Sequence, residues 1–423
     1  MVAVCLYFQV HQPYRLSRYR IFDIGNHSNY FDDNLNKEVF QKVAARCYLP
    51  ANEILLKAIQ KTGGKFKVAF SISGVALEQM EKYAPNVLES FKELARTGCV
   101  EFLSETYYHS LSFLYSKEEF KRQIELHRRM IEKHFGQNPK VFRNTELVYT
   151  NELAPFIEEL GYKAIFAEGA ESVLGWRSPN HLYEPLHTKN MSLFLKNSPL
   201  SDDIAFRFSD RRWVQWPLTA KKYSKWIDNL NSTSEIVNLF MDYETFGEHH
   251  WKENGIFDFL SEFPYEMLKG DKNIFVTPSE AIDMFPSRSR VDVPFVTSWA
   301  DKDRDLGAWL GNKMQQEAIK DIFQLETIIR KLKSKELLED WRKLTISDHY
   351  YYMSTKKSED GAIHSYFSIY ESPYDAYVFF MNALNDLLLR IRIEDEKQNG
   401  GKNSGKKSLF DSILGEVQSA IKS

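Results

Sequence analysis

Apolar positions along this chain follow two periods. Short, nearly continuous apolar runs lie at 2–10, 68–72, 100–103, 141–142, 164–167, 191–195 and 236–241. Runs without polar alternation predict strands buried on both faces, as in a parallel sheet. Between them lie stretches with apolar residues at helical spacing. One runs from about Leu35 to the Gly63-Gly64 stop, and Leu77–Ala95 is another with a proline interruption. A third opens at the capping-box signature Ser116-Lys-Glu-Glu119 and should end near Gly136. A fourth, capped by Thr150 or Asn151, stops at Gly161, and a Lys- and Trp-bearing helix is expected near 219–230. Residues 168–218 read as irregular and rich in aromatics. The alternation predicts a parallel α/β architecture, and about seven strand–helix repeats predict closure into an irregular seven-fold (β/α) barrel.

From roughly residue 300 the strands stop. Leu306–Leu332, 336–347 and Tyr374–Ile393 carry helical periodicity and predict a C-terminal helical bundle. The expected organisation is a barrel at 1–295, a helical domain at 296–393, a flexible polar linker at 394–407 and a short amphipathic helix at 408–423. A chain of 423 residues exceeds the size at which one core keeps growing, which agrees with a large domain plus a smaller one.

Composition narrows the function classes. A formal charge of −3 carries no polyanion-binding signature, so nucleic acid is not an expected partner. No apolar run reaches membrane-span length, so no membrane is expected either. Met1–Val10 lacks the basic n-region and small-residue cleavage site of a signal peptide and reads as the first buried strand. Three widely spaced cysteines, Cys5, Cys47 and Cys99, form neither a disulfide framework nor a metal-ligand cluster, which suits a cytoplasmic setting. The 30 Phe, 22 Tyr and 8 Trp exceed what chemistry alone demands; many must be core, and exposed rings are platforms for sugars.

Chemistry concentrates at two strand ends. The run Ile236–Met241 delivers Asp242, and Glu244, Glu248, His249 and His250 follow at once. In an extended chain Asp242 and Glu244 face the same side, so one pocket can receive both; a solvated loop is the bland alternative. Glu146, in Val-Phe-Arg-Asn-Thr-Glu, also follows a short strand and precedes a capped helix. In an α/β barrel both positions fall on the active-site face. Two carboxylates from different loops are the minimal equipment for cleaving a glycosidic bond. Arg143 offers Glu146 a salt-bridge partner, an arrangement that also keeps a nucleophilic carboxylate ionised. Adjacent histidines point apart and no His-x-x-x-His is present, so neither a metal site nor a cofactor is expected.

Five stretches, in order, resemble glycoside hydrolase family 57. They are His11-Gln-Pro13, Gly98-Cys-Val-Glu-Phe102, Phe142-Arg-Asn-Thr-Glu146, Met241-Asp-Tyr-Glu-Thr-Phe-Gly-Glu-His249 and the segment from Trp299 to Trp309. Ser347-Asp-His-Tyr-Tyr-Tyr-Met353 looks like a stretch of the family's amylase branch. The resemblance spans residue 2 to about 390 and implies a seven-fold barrel acting on α-glucans. It puts Glu146 on the catalytic nucleophile and Asp242 on the general acid/base. It makes His11, Glu101, His109, Glu244, Trp299 and Asp348 candidates for substrate binding, with Trp299 either stacking on a glucose ring or belonging to the core. The implied activity is a retaining α-amylase acting on an α-glucan or maltooligosaccharide. A 4-α-glucanotransferase or branching enzyme would use the same carboxylates, and a catalytically silent glucan-binding protein is the alternative from another class.

Overall fold

The computed structural model describes residues 2–356 and 368–399. The chain divides into two compact units, one of residues 1–12, 37–107 and 121–305, the other of 13–36, 108–120 and 306 onward. The helical unit thus draws on two earlier segments, and residues 296–305 belong to the first unit.

The first unit is organised on β1 (Val2–Val10), all nine residues of which are buried. Its side chains alternate between two apolar layers. Ala3, Cys5 and Tyr7 enter an inner cluster with Val141, Phe166 and Phe240. Val4, Leu6, Phe8 and Val10 enter an outer one against the helices. One edge of β1 is shared by β2 (Val68–Ile72), along Tyr7–Val10, and β9 (Asn273–Phe275), along Val2–Val4. The other edge pairs with β8 (Ile236–Asp242), in a register running from Ala3↔Ile236 to Gln9↔Asp242. Beyond β2 lies β3 (Val100–Phe102). Every pairing in this sheet is parallel.

A second sheet has the order β10-β6-β7-β5-β4. Its strands are β4 (Val141–Arg143), β5 (Ala164–Ala167), β6 (Leu182–Pro185), β7 (Ser192–Leu195) and β10 (Arg290–Val291), and only β6 and β7 pair antiparallel. Two seams join the sheets. Ser104 donates to the Val141 carbonyl at 3.0 Å and accepts from the Arg143 N–H at 2.8 Å, while Asn197 donates to the Asn238 carbonyl at 2.9 Å. The expected parallel α/β architecture with a C-terminal helical region is present. Its strands form two sheets with two seams, and β6, β9 and β10 add to the expected set.

Long expected helices are interrupted. Residues 35–61 form two helices, Asp33–Val43 and Leu49–Lys61, joined through a wider turn at Ala44–Tyr48. The stretch Leu306–Leu332 divides into Gly307–Leu310, Lys313–Gln324 and Glu326–Leu332, because Asn312 and Gln315 form a capping box that starts a new helix. Ser116 caps its helix as expected, its hydroxyl accepting from Glu119 N–H at 3.1 Å. The fully buried Glu119 carboxylate accepts from Arg330 and from Arg342, the latter at 2.8 and 3.2 Å.

In the second unit Trp341 is buried and donates to the Ile322 carbonyl at 2.7 Å. Asp386 accepts from Tyr30 at 2.6 Å and from the Gly25 N–H at 2.7 Å, tying the 13–36 segment to the last described helix. That helix, Pro373–Asn399, runs through 394–399, where a linker was expected. The rest of the linker and the helix expected at 408–423 lie outside the described residues. Among the described residues no helix is long and apolar enough to cross a membrane.

Gly247, in the loop after β8, has φ 111°, and a Cβ there would overlap the Arg46 carbonyl. Gly247→Ala is therefore expected to destabilise the first unit by about 2–5 kcal/mol, read as a lowered thermal midpoint.

Candidate active site

Glu146 stands on strained backbone. After β4, Thr145–Leu147 make one tight turn in which Glu146 has φ 56° and ψ 26°, and Leu147 has φ 51°. Two successive non-glycine residues in the left-handed region are uncommon and persist only when the surroundings impose them. The surroundings are specific. Asn144 donates to the Val148 carbonyl at 2.9 Å, and the Thr106 and Thr145 hydroxyls meet at 2.7 Å. Tyr149 and Thr297 then exchange two backbone hydrogen bonds of 3.0 Å, which brings the following residues alongside the turn.

Trp299 arrives by that pairing. Its N–H donates to the Glu146 carbonyl at 3.1 Å, and its indole Nε1–H donates to Glu146 Oε2 at 2.7 Å. The indole, half-buried, is approached by two cations: the Arg143 guanidinium lies 4.8 Å and the Lys196 ammonium 5.7 Å from the ring. Arg304 reaches the Trp299 carbonyl and bonds Asp202 at 2.9 Å. Lys196 bonds Asp202 at 2.9 Å and lies 3.5 Å from Glu168, which also accepts from Ser198. Glu168 follows β5 and Lys196 follows β7, so three strand ends supply this cluster. Arg143 is fully buried, and none of its three side-chain nitrogens has a hydrogen-bond partner among the described residues. Arg143 and Glu146, offered by the sequence as a possible ion pair, both contact the Trp299 indole.

Asp242 ends β8 beside Gln9 and is partly exposed. The chain then turns through Tyr243–Thr245, sending Tyr243 into the outer core, where its hydroxyl donates to Asn52 at 2.7 Å. Glu244 is buried and accepts from Tyr48 and from Gln12, the latter at 3.4 Å. Burial, and then the Asp242 carboxylate, push the Glu244 pKa up to about 8. Asp242 and Glu244 thus lie close enough to influence one another, and Glu244 is bonded to protein groups.

The first strand supplies a second polar chain. Tyr7 donates to Gln9 at 2.8 Å, Gln9 donates to Glu105 at 3.0 Å, and Glu105 also accepts from Ser71. Glu105 is fully buried and was not anticipated; its signal is an acid directly after β3 in Leu103-Ser-Glu-Thr. Its N–H donates to His127 Nδ1 at 3.3 Å, and His127 Nε2 lies 2.8 Å from the Ile72 carbonyl. Burial lowers the His127 pKa, so the ring serves this site as a neutral spacer. His11 Nδ1 lies 2.7 Å from the Ser73 hydroxyl at the end of β2.

Three candidates stand elsewhere. Glu101 sits on β3 opposite Ala69, and its carboxylate accepts from the Ser279 N–H at 2.8 Å and hydroxyl at 2.6 Å. It holds the start of the helix Pro278–Met284. His109 and Asp348 belong to the second unit, where the His109 carbonyl accepts from Ser347 N–H at 3.1 Å and Asp348 lies in the short helix Ser347–Tyr351. The Glu248–His250 stretch is tied internally. Glu248 pairs with Lys42 at 2.9 Å, and His250 lies 2.8 Å from the Ser209 hydroxyl and 3.0 Å from the Ala205 carbonyl. Among the described residues no group of three His, Cys, Asp or Glu side chains is arranged to hold a metal ion.

Residues 5–294 match the model of glycosyl hydrolase family 57. A provisionally named α-amylase of Methanocaldococcus jannaschii is 46% identical over 413 residues, 95% of this chain and 87% of that one. A 4-α-glucanotransferase of Thermococcus litoralis is 24% identical over 263 residues, 61% of this chain but only 38% of that longer protein. Among solved structures, a branching enzyme of this family from Pyrococcus horikoshii superposes with a TM-score of 0.68 at 17% identity, covering 99% of this chain and 94% of its own. The chain belongs to glycosyl hydrolase family 57.

Glu244 generates a prediction about stability. Its folded pKa, about 8, lies above the ordinary 4.5, so between those values the folded protein binds more protons than the unfolded chain. Stability contributed by this group is full at low pH and declines as pH rises from about 5 to 8, by at most about 1.4 kcal/mol per pH unit. Glu244→Gln is expected to flatten that decline, measured as thermal midpoints of both proteins across the range.

Proposed function

We propose that this chain is a retaining α-glucan hydrolase, most simply an α-amylase, with Glu146 as nucleophile and Asp242 as general acid/base. The carrying observation is the setting of Glu146. It is a partly exposed carboxylate on an enforced left-handed turn at a strand end, held by an indole N–H whose ring faces two cations. Such a donor favours the ionised, nucleophilic form. Asp242 is likewise partly exposed and ends a parallel strand of the same unit.

In this reading Glu146 attacks the anomeric carbon as Asp242 protonates the departing glycosidic oxygen, giving a glycosyl-enzyme. Asp242, now a carboxylate, takes a proton from water, which attacks the same carbon and releases Glu146. Two displacements retain the anomeric configuration. If the acceptor is a sugar hydroxyl, the same cycle transfers glucan instead. Similarity to the Thermococcus litoralis glucanotransferase favours keeping that second reading.

A defined α-1,4 maltooligosaccharide separates these outcomes. Shorter sugars with new reducing ends, unaffected by a chelator, are expected. Glu146→Gln should lower kcat by about a thousandfold or more, with the fold intact. Longer sugars without net new reducing ends would make the chain a transferase. Near-normal turnover by Glu146→Gln would sink the mechanism, and inert wild type that still binds glucan would make the chain a binding protein.

A further inference from the structure

The sequence leaves Trp299 either to stack on a glucose ring or to belong to the core, and its contacts suggest a further role. Its one polar side-chain atom is committed to Glu146 at 2.7 Å, and its backbone N–H holds the same residue's carbonyl. Its own carbonyl is clamped by Arg304, and Ser298 N–H donates to the Arg304 carbonyl at 3.0 Å, so the residues on each side of the indole are pinned. The cations Arg143 and Lys196 lie within 6 Å of the ring, the range at which a cation is attracted to an aromatic face. A cation over an indole draws charge out of the ring and makes its N–H a stronger donor. A fully buried guanidinium with no hydrogen-bond partner among the described residues is expensive to keep, and this ring is one of the groups on which its charge acts.

We propose that Trp299 is a positioning residue for Glu146, and that Arg143 and Lys196 act through its indole to hold that carboxylate oriented and ionised. The proposal rests on the reading of Glu146 as nucleophile. The charged groups of this neighbourhood are Arg143 on β4, Lys196 after β7 and Arg304 beside the indole. They are opposed by Glu168 after β5 and Asp202. Asp242 on β8 and Glu105 after β3 share with Arg143 an electrostatic influence on Tyr7, which connects them to the same field. Lys196 and Arg304 are balanced by Asp202 and Glu168, whereas Arg143 has no such carboxylate among the described residues and is the cation whose removal changes the field most simply.

The test is kinetic. Glu146→Ala with added azide first examines the nucleophile itself: rescue with formation of a glycosyl azide supports that reading, and no rescue overturns both. With rescue in hand, Trp299→Phe keeps a ring and removes the donor. The expected result is kcat lower by about 10–100-fold, KM within about threefold, and the acid limb of kcat/KM moved up by about one pH unit. Arg143→Met should move the limb in the same direction by a smaller amount, while Arg143→Lys, which keeps a cation, should leave it near wild type. A Trp299→Phe enzyme with raised KM but unchanged kcat and pH profile would make the indole a sugar platform and overturn the proposal. Equal limbs for Arg143→Met and wild type would overturn the part assigned to the cations. Circular dichroism and thermal midpoints of each variant separate loss of fold from loss of positioning.

Discussion

A strand with no exposed side chain has to be paired and covered everywhere, and β1 imposes that constraint on the first unit. Its upper half takes β2, its lower half β9, and its whole other edge β8. Because side chains alternate with period two, a slip of one residue would exchange the inner layer of Ala3, Cys5 and Tyr7 with the outer layer of Val4, Leu6 and Phe8. The register is therefore fixed by two different apolar clusters at once. Its consequence for chemistry is positional: Gln9 and Asp242 end level with one another, and His11 emerges beside Ser73.

Around Glu146 the structure solves a different problem, the retention of many charges in a poorly solvated place. Lys196, Arg304, Asp202 and Glu168 neutralise one another through direct bonds, and the indole lies against the edge of that network. Charges in such a setting are costly unless paired. The strained turn at Glu146 belongs to the same economy, since the pairing of Tyr149 with Thr297 over-determines a backbone that would otherwise relax.

The parts readable from sequence were those with a one-dimensional signature. Unbroken apolar runs located the parallel strands, and acids placed directly after such runs singled out Glu146 and Asp242. Glycines at 136 and 161 marked helix ends because a left-handed residue ends a helix wherever it falls. What escaped were contacts between distant segments. Nothing local distinguishes Glu101, which holds a helix start, from Glu105, which joins the polar chain beneath the strand ends; only the neighbours of each tell them apart. Likewise Lys196 and Asp202 sit in a stretch read as irregular, and their meaning comes from Arg304, about a hundred residues away. Periodicity also could not foresee that Asn312 would cut a long helix, because the side chain competes for the backbone at a single position.

The buried carboxylate of Glu119 between Arg330 and Arg342 has a consequence for how this protein can change. Loss of Glu119 leaves two arginine charges facing one another around a buried site, a penalty larger than a pair's net worth, whereas replacing all three by well-packed apolar residues can be neutral or better. The order of substitution therefore matters: either arginine can go first and leave Glu119 paired with the other, whereas a path that begins at Glu119 passes through the costly state.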